Sequence, residues 1–307
     1  MLLSICMPTY NRKDKALVQA SNIISQIEQL NDVQDGDVEF FISDNCSTDH
    51  TDQFLKDKLN HIPPFVRIVR QKTNIQSIGN MNYLFNNSDS DYVWIIGDDD
   101  IVNEGAVFEV KKEILESRKA FYLLNFQREV DGILQPNYWE HASQNYESLY
   151  RDGLTGGFGF ITVTIFRKKD FIPTFQNMDT PDNMLMYPMA RTFYGLFVLN
   201  GKMVFDHSFV IHHTGDYHWF SKYIEVQSVY SYRALLILKE LVSHDKYLHL
   251  LKILFGTNIF RYNSFKYLLK TRDVWYYNEL RRYKILNQVL LCGVTLGFKA
   301  IIHKLIR

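Results

Sequence analysis

Apolar runs and helical periodicities alternate four times in the first hundred residues. "LLSICMPTY" is a short apolar run that includes Pro8, and "NRKDKALVQASNIISQIEQL" then repeats Leu17, Ala20, Ile24, Ile27 and Leu30 at helical spacing, predicting a strand followed by a helix. "VEFFISDN" predicts a second buried strand. "STDHTDQFLKDKL" predicts a second helix, with Ser47 or Thr48 as its N-cap. "FVRIVRQ", "IGNMNYLFNN" and "DYVWIIGDDD" predict a third strand, a third helix and a fourth strand. Strands alternating with helices predict an α/β fold, a mainly parallel sheet flanked by helices on both faces. Ligands of such sheets bind beyond the carboxyl ends of the strands. Thr9, Tyr10 and Asn11, then Asp44 and Asn45, then Asn74, then Asp98 to Asp100 all fall at such ends.

Beyond residue 105 the pattern predicts a helix in "GAVFEVKKEILESRK", a strand in "AFYLLNFQRE", a glycine-rich loop and strand in "GLTGGFGFITVTIFRKKDF", and another strand in "MVFDHSFVIHHTGDYHWF". From about residue 222 the chain turns to helices with basic and aromatic flanks. Two parts are therefore expected, an α/β domain over 1–221 and a helical C-terminal region over 222–307.

Charge sharpens that division. The formal net charge is zero, yet residues after 221 carry 15 Lys/Arg against 5 Asp/Glu, and the residues before them 19 against 29. The basic part fits an anionic surface, either a membrane or phosphates, and its aromatic helices could equally pair two subunits. Cys6, Cys46 and Cys292 are scattered without metal-type spacing, so a reducing compartment is expected. With no signal-like N-terminus and no run of 18 apolar residues, the expected place is the cytoplasm, peripherally on the inner face of the cytoplasmic membrane.

Three adjacent aspartates behind an apolar strand raise the question of what neutralises them. Like charges about 4 Å apart repel by roughly 4 kcal/mol at an effective dielectric near 20. A hard divalent cation, Mg²⁺ or Mn²⁺, is the partner that Asp98 and Asp100 suggest, since it takes oxygen ligands and keeps positions for phosphate oxygens. The ion would neutralise a diphosphate leaving group.

"MPTYNR", "SDNCSTDHT", "KTNIQSIGNMN" and "IIGDDD", in that order, resemble the motif series of glycosyltransferase family 2, inverting enzymes of the GT-A fold, and within it the branch of abequosyltransferase-like enzymes of bacterial surface polysaccharides. The resemblance implies a GT-A-type, Rossmann-like mixed sheet. It also implies transfer of a sugar from a nucleotide-diphosphate donor, UDP by default, to a hydroxyl of a saccharide or lipid-linked saccharide. Pro8, Thr9 and Tyr10 would lie under the nucleobase, Asp44 and Asn45 at the base, Asn74 on the third loop, and Arg12 near the diphosphate. Asp98 and Asp99 would approach the donor, and Asp98 and Asp100 the metal, with His212 or His213 as a further ligand. One departure is Gln76, where family members commonly have glycine.

An inverting displacement needs a base for the acceptor hydroxyl. The resemblance puts it about 80 residues past the aspartates, where "NMDTPDNMLMYPMA" offers Asp182 or Asp179 in place of the usual Glu-Asp pair. Gly156, Gly157 and Phe158, with Phe160 beyond, would shape the acceptor side. A nucleotidyltransferase is the alternative, although "MPTYNRKDK" has no glycine for a phosphate loop; a second alternative is a catalytically silent nucleotide-sugar-binding assembly protein. No nucleic-acid partner is expected.

Overall fold

The computed structural model describes residues 1–31, 37–59, 61–139, 159–171, 191–213, 228–229, 231–239, 242–256 and 258–292. The chain forms two compact units. One comprises Met1–His141, Phe160–Met184 and Tyr194–Gly215, the other Ala142–Gly159, Leu185–Phe193 and Asp216–Arg307.

The first unit is built on β1 (Leu3–Thr9), which is buried almost throughout and sits between β2 (Val38–Asp44) and β4 (Tyr92–Ile95), parallel to both. A strand in that position is covered on both faces, which is why "LLSICM" is apolar at every position but Ser4, whose hydroxyl is paired with Glu39 and Ser90, rather than alternating. β3 (Val66–Arg70) adds outside β2 in parallel. The connecting helices are α1 (Lys13–Asn31), α2 (Thr51–Lys58) and α3 (Gln76–Asn87). Chain order runs from β1 outward to β3 and then returns across β1 to β4. The sheet therefore has a switch point between β1 and β4, the place where α/β proteins of this kind open a crevice.

Two predicted strands are each divided in two. The run "DYVWIIGDDD" ends its first strand at Ile95, and a separate strand, β5 (Asp100–Val102), begins at the third aspartate. "AFYLLNFQRE" gives β6 (Phe121–Leu124) and β7 (Phe126–Val130), which belong to different sheets. Asn125 between them is fully buried. Its Oδ1 accepts from the backbone N–H of Phe126 (3.0 Å) and of Trp139 (3.1 Å), while its Nδ2 donates to the carbonyl of Phe205 (3.2 Å). A polar side chain with these partners lets a buried strand change sheets without orphaned backbone groups.

After β7 come β8 (Ile133–Leu134), β9 (Thr164–Arg167), β10 (Lys202–Val204) and β11 (Val210–His213). The larger sheet has the order β10-β6-β9-β4-β1-β2-β3, with β9 antiparallel to β4 and β6; the smaller has the order β5-β11-β7-β8. Asp131 and Gly132 join β7 to β8, both at positive φ (52° and 76°), the geometry of a two-residue primed turn. α4 (Ala106–Ser117) packs on α1.

The N-cap expected at Ser47 or Thr48 is not there. α2 begins at Thr51 behind His50, and Ser47 instead donates to Asp44. Asp49 accepts from the Thr51 amide (3.1 Å), which makes it the acid that closes this turn.

Gly195, in a five-residue π-helical turn, and Gly201 flank the buried Phe121 ring; a Cβ at Gly195 would lie 2.2 Å from it. Gly195→Ala is expected to destabilise the protein by about 1–2 kcal/mol through overpacking, read as a lower urea midpoint at unchanged slope.

In the second unit, α5 (Ser231–Leu238) packs on α6 (His244–Gly256), which packs on α7 (Asn258–Thr271); α8 (Val274–Arg282) follows, and residues 286–292 are helical. Tyr232, Phe255, Tyr276 and Tyr283 form its aromatic centre. The Tyr232 hydroxyl donates there to buried Glu279. Among the described residues no helix is long and apolar enough to cross a membrane.

Candidate active site

The carboxyl ends of β1 and β4 meet at the switch point. Thr9, the last residue of β1, donates through Oγ1 to Asp98 Oδ2 at 2.7 Å. Arg12, at the turn into α1, places Nη1 2.9 Å from Asp98 Oδ1 and 2.7 Å from Asp99 Oδ2. The guanidinium expected near a diphosphate thus bridges two of the three aspartates. Their mutual repulsion is met from within the chain.

Asp100 has a different surrounding. Its Oδ1 lies 2.8 Å from His212 Nδ1, and its Oδ2 accepts from Thr162 Oγ1. His212 stands directly opposite Asp100 in the antiparallel pairing of β11 with β5. The strand pairing itself therefore brings this imidazole to this carboxylate. His213 follows in register with Glu129, and its side chain lies outside the described residues. Thr162 also accepts from the Gly97 amide at 2.9 Å, and its carbonyl accepts from Trp94 Nε1 at 2.6 Å. The Phe160 ring lies 4.4 Å from the His212 ring and 4.8 Å from that of Phe126, so it packs against the site.

Burial disfavours charge on both inner carboxylates. Asp98 is pushed up to about 6 by desolvation, against the pull of Arg12 and Thr9. Asp100 is raised for the same reason, with His212 and Thr162 opposing.

A polar seam on the inner face of α1 holds the aspartate loop from below. Gln19 Nε2 donates to the Gly97 carbonyl (3.2 Å), Asn22 Nδ2 to the Val102 carbonyl (2.7 Å), and Gln26 Oε1 accepts from the Val107 amide (3.2 Å). Gly97 itself leaves room for the acids, since a Cβ there would stand 2.6 Å from Asp100 Oδ2.

At the end of β2, Asp44 is completely buried and receives Arg70 Nη1 (3.0 Å), the Ser47 amide (3.1 Å) and the Ser47 hydroxyl. Asn45 Oδ1 accepts from the Ile75 amide (2.9 Å) and its Nδ2 donates to Asn74 Oδ1 (3.1 Å), which ties the second loop to the third. Tyr10 is 41% exposed beside Pro8. Gln76, where glycine was the expectation, has φ 65° and receives an Asn74 Oδ1 contact on its amide at 2.8 Å. The left-handed backbone is kept without the glycine. Gln76→Gly is expected to change stability by under about 1 kcal/mol, relieved strain offsetting the extra freedom of the unfolded chain. Thermal denaturation measures it.

Asp179, Asp182, Gly156, Gly157 and Phe158 lie outside the described residues. Thr162, Arg70 and Gln19 also contact these residues and were not singled out in the sequence, while Ser47 was singled out only as a helix cap. A signal existed for one of them: Gln19, Asn22 and Gln26 interrupt the apolar stripe of α1 at i, i+3 and i+7.

Residues 4–175 match the sequence model of Glycosyl transferase family 2. The chain belongs to this family. The chain is 32% identical over 123 residues to the abequosyltransferase RfbV of Salmonella typhimurium, a match covering 40% of this chain and 35% of the relative. Hence the chain spans only about a third of the length of that curated relative. Among solved structures, S. aureus TarS 1–349 aligns over 92% of both chains at TM-score 0.55 and 14% identity, and the same TarS fragment in complex with UDP-GlcNAc at TM-score 0.55 and 15% identity. The GT-A-type architecture expected from the motifs is the one observed, and the family places the chain among glycosyltransferases.

Three carboxylates and an imidazole are a donor set chemically suited to Mn²⁺ or Mg²⁺. As arranged, Asp98 faces Arg12 and Thr9 while Asp100 faces His212 and Thr162. Among the described residues no three His, Cys, Asp or Glu side chains converge to hold an ion.

Proposed function

We propose that the chain transfers a sugar from a nucleotide diphosphate, UDP by preference, to a hydroxyl of a saccharide acceptor carried on a lipid, in bacterial surface polysaccharide synthesis. The observation that carries this is the gathering of Asp98, Asp99, Asp100, Arg12 and His212 at the switch between β1 and β4, with Asp44 and Asn45 one strand away. The abequosyltransferase relative supports the substrate class, and the UDP-GlcNAc complex of TarS supports the uridine. In this reading residues 1–221 are the catalytic domain and 222–307 the basic helical region.

Pro8 and Tyr10 border the base, and Asp44 with Asn45 takes its polar edge. Asp98, Asp100 and His212 are the residues that would hold Mn²⁺ or Mg²⁺, provided Asp98 gives up its contacts with Arg12 and Thr9 for the ion, which when bound supplies positive charge for the departing diphosphate. Arg12, already on Asp98 and Asp99, is close enough to these acids to lend its charge to the same phosphates. Asp182, or Asp179 in its stead, takes the acceptor proton, with Gly156, Gly157 and Phe158 on the acceptor side.

A panel of nucleotide sugars, scored by thermal shift with Mn²⁺ and then by hydrolysis or transfer, tests the reading. A UDP-sugar is expected to give the largest shift, and Asp182→Asn to abolish transfer while leaving donor binding intact. Donor binding without turnover across donors and lipid-linked acceptors would favour the silent assembly protein, a reading that the internal pairing of Asp98 and Asp100 makes worth separating. Loss in Asp179→Asn alone would move the base.

A further inference from the structure

α8 is amphipathic in a way that its own unit does not use. Tyr276, Glu279 and Leu280 are buried on one side, and Tyr276 is fixed there by Ser264 (2.7 Å between hydroxyls) and by the Tyr267 ring. On the other side, at about 100° per residue, Tyr277, Arg281, Val274, Asn278, Arg282 and Trp275 succeed one another over an outward arc of roughly 160°. Val274 is 70% exposed, and Trp275 and Tyr277 are each 41% exposed. The Trp275 ring is held in place by the Arg233 guanidinium, 4.9 Å from its centre.

The charge on this arc has one sign. Arg272 precedes the helix and Lys284 follows it, both exposed. Two acids lie near this arc, Asp273 at the cap of α8 and Glu279 within the helix. Asp273 caps the helix through the Tyr276 amide (2.9 Å) and accepts from the Tyr267 hydroxyl (3.0 Å); Glu279 is buried on Tyr232 and pairs with Arg282 at 2.9 Å. An aliphatic, an indole and a phenol interleaved with arginines occur at protein interfaces as well, but here the exposed cations Arg272, Arg281 and Lys284 run the length of the face and past both of its ends. They suit the boundary of a lipid bilayer, where aromatic rings sit at headgroup depth and cations meet anionic lipid.

We propose that the outward face of α8, with Arg272 and Lys284 at its ends, docks on the surface of an anionic lipid bilayer. This rests on the lipid-carried acceptor proposed above and names the surface that would bring the chain to it.

The full chain is sedimented with vesicles of phosphatidylcholine alone and with vesicles that also contain phosphatidylglycerol. Binding is expected on the anionic vesicles, weakened about fivefold by each of Arg272→Gln and Arg281→Gln. Trp275→Ser combined with Tyr277→Ser is expected to remove it with the helical circular dichroism retained, and Tyr277→Ser alone, which leaves the packing of Trp275 on Tyr232 and Tyr276 in place, is expected to weaken it. A lipid-induced blue shift in tryptophan fluorescence is expected in the parent and absent in Trp275→Phe. Equal binding by parent and variants, or equal binding to both vesicle types, overturns the proposal. So does conversion of an oligomer to a monomer in the double variant by light scattering, which gives the face to a second copy. Donor hydrolysis without lipid, measured on the same variants, reads the proposed reaction separately from the docking.

Discussion

Transfer by Asp100→Ala is expected to fall by at least about 10²-fold, with the fold intact. Asp100 is the inner acid of the cluster, fully enclosed and held by two side chains of different elements, His212 on β11 and Thr162 ahead of β9. Its burial raises the carboxyl's affinity for a proton, so the ionised form is disfavoured in the protein and its removal should not lower stability greatly. Activity and stability therefore part company at this position. Thr162→Val keeps Asp100 but removes the hydroxyl that orients it, and about a tenfold higher Mn²⁺ concentration for half-maximal transfer is expected, as for groups that support metal ligands generally. Steady-state transfer with Mn²⁺ titration and a parallel thermal melt measure both. Full activity in Asp100→Ala, or after chelation, defeats the assignment of these acids to the reaction.

Arg12→Met is expected to destabilise the ion-free protein by about 2–3 kcal/mol, less than the full penalty for orphaning an enclosed charge because Arg12 is itself partly solvated. The reason is the bridge it makes to Asp98 and Asp99. Without it, two neighbouring carboxylates lack their shared cation. Mn²⁺ should then restore more stability to the variant than it adds to the parent, since the ion supplies charge that Arg12 otherwise provides. Differential scanning calorimetry with and without Mn²⁺ distinguishes this from simple loss of packing, which the ion would not repair. An unchanged midpoint would show that the bridge contributes nothing.

The first four strands and three helices were legible because each local signal agrees with its place: continuous apolar runs for strands buried on both faces, and a helical stripe for α1. The strand ends were legible too, with Thr9 and Asp44 closing β1 and β2 and with Asn45 and Asp98 just past β2 and β4. What was hidden depends on pairing between distant segments. Nothing in "AFYLLNFQRE" says that the chain changes sheets at Asn125, because both halves are equally apolar at their start. "GDDD" reads as one acidic turn, yet its last aspartate opens a new strand whose partner is 112 positions further on. Thr162 is one hydroxyl among several in "GFITVTIF", and only the folded chain sets it against Asp100. The cation inferred from three adjacent acids illustrates the same limit. Like charges demand a partner, but local sequence does not say whether that partner is an ion or an arginine 86 residues away.

The division of the aspartate triplet between two sheets makes the distance from Asp98 to Asp100 a gauge of how those sheets are seated. Asp98 follows the larger sheet through Thr9, whereas Asp100 is the first rung of the smaller one. Asn125 stitches the two together far along the chain from either acid. An exchange such as Asn125→Leu, which adds no charge but orphans the Phe126 and Trp139 amides and the Phe205 carbonyl, would thus loosen the seating of one sheet on the other together with the stability of both.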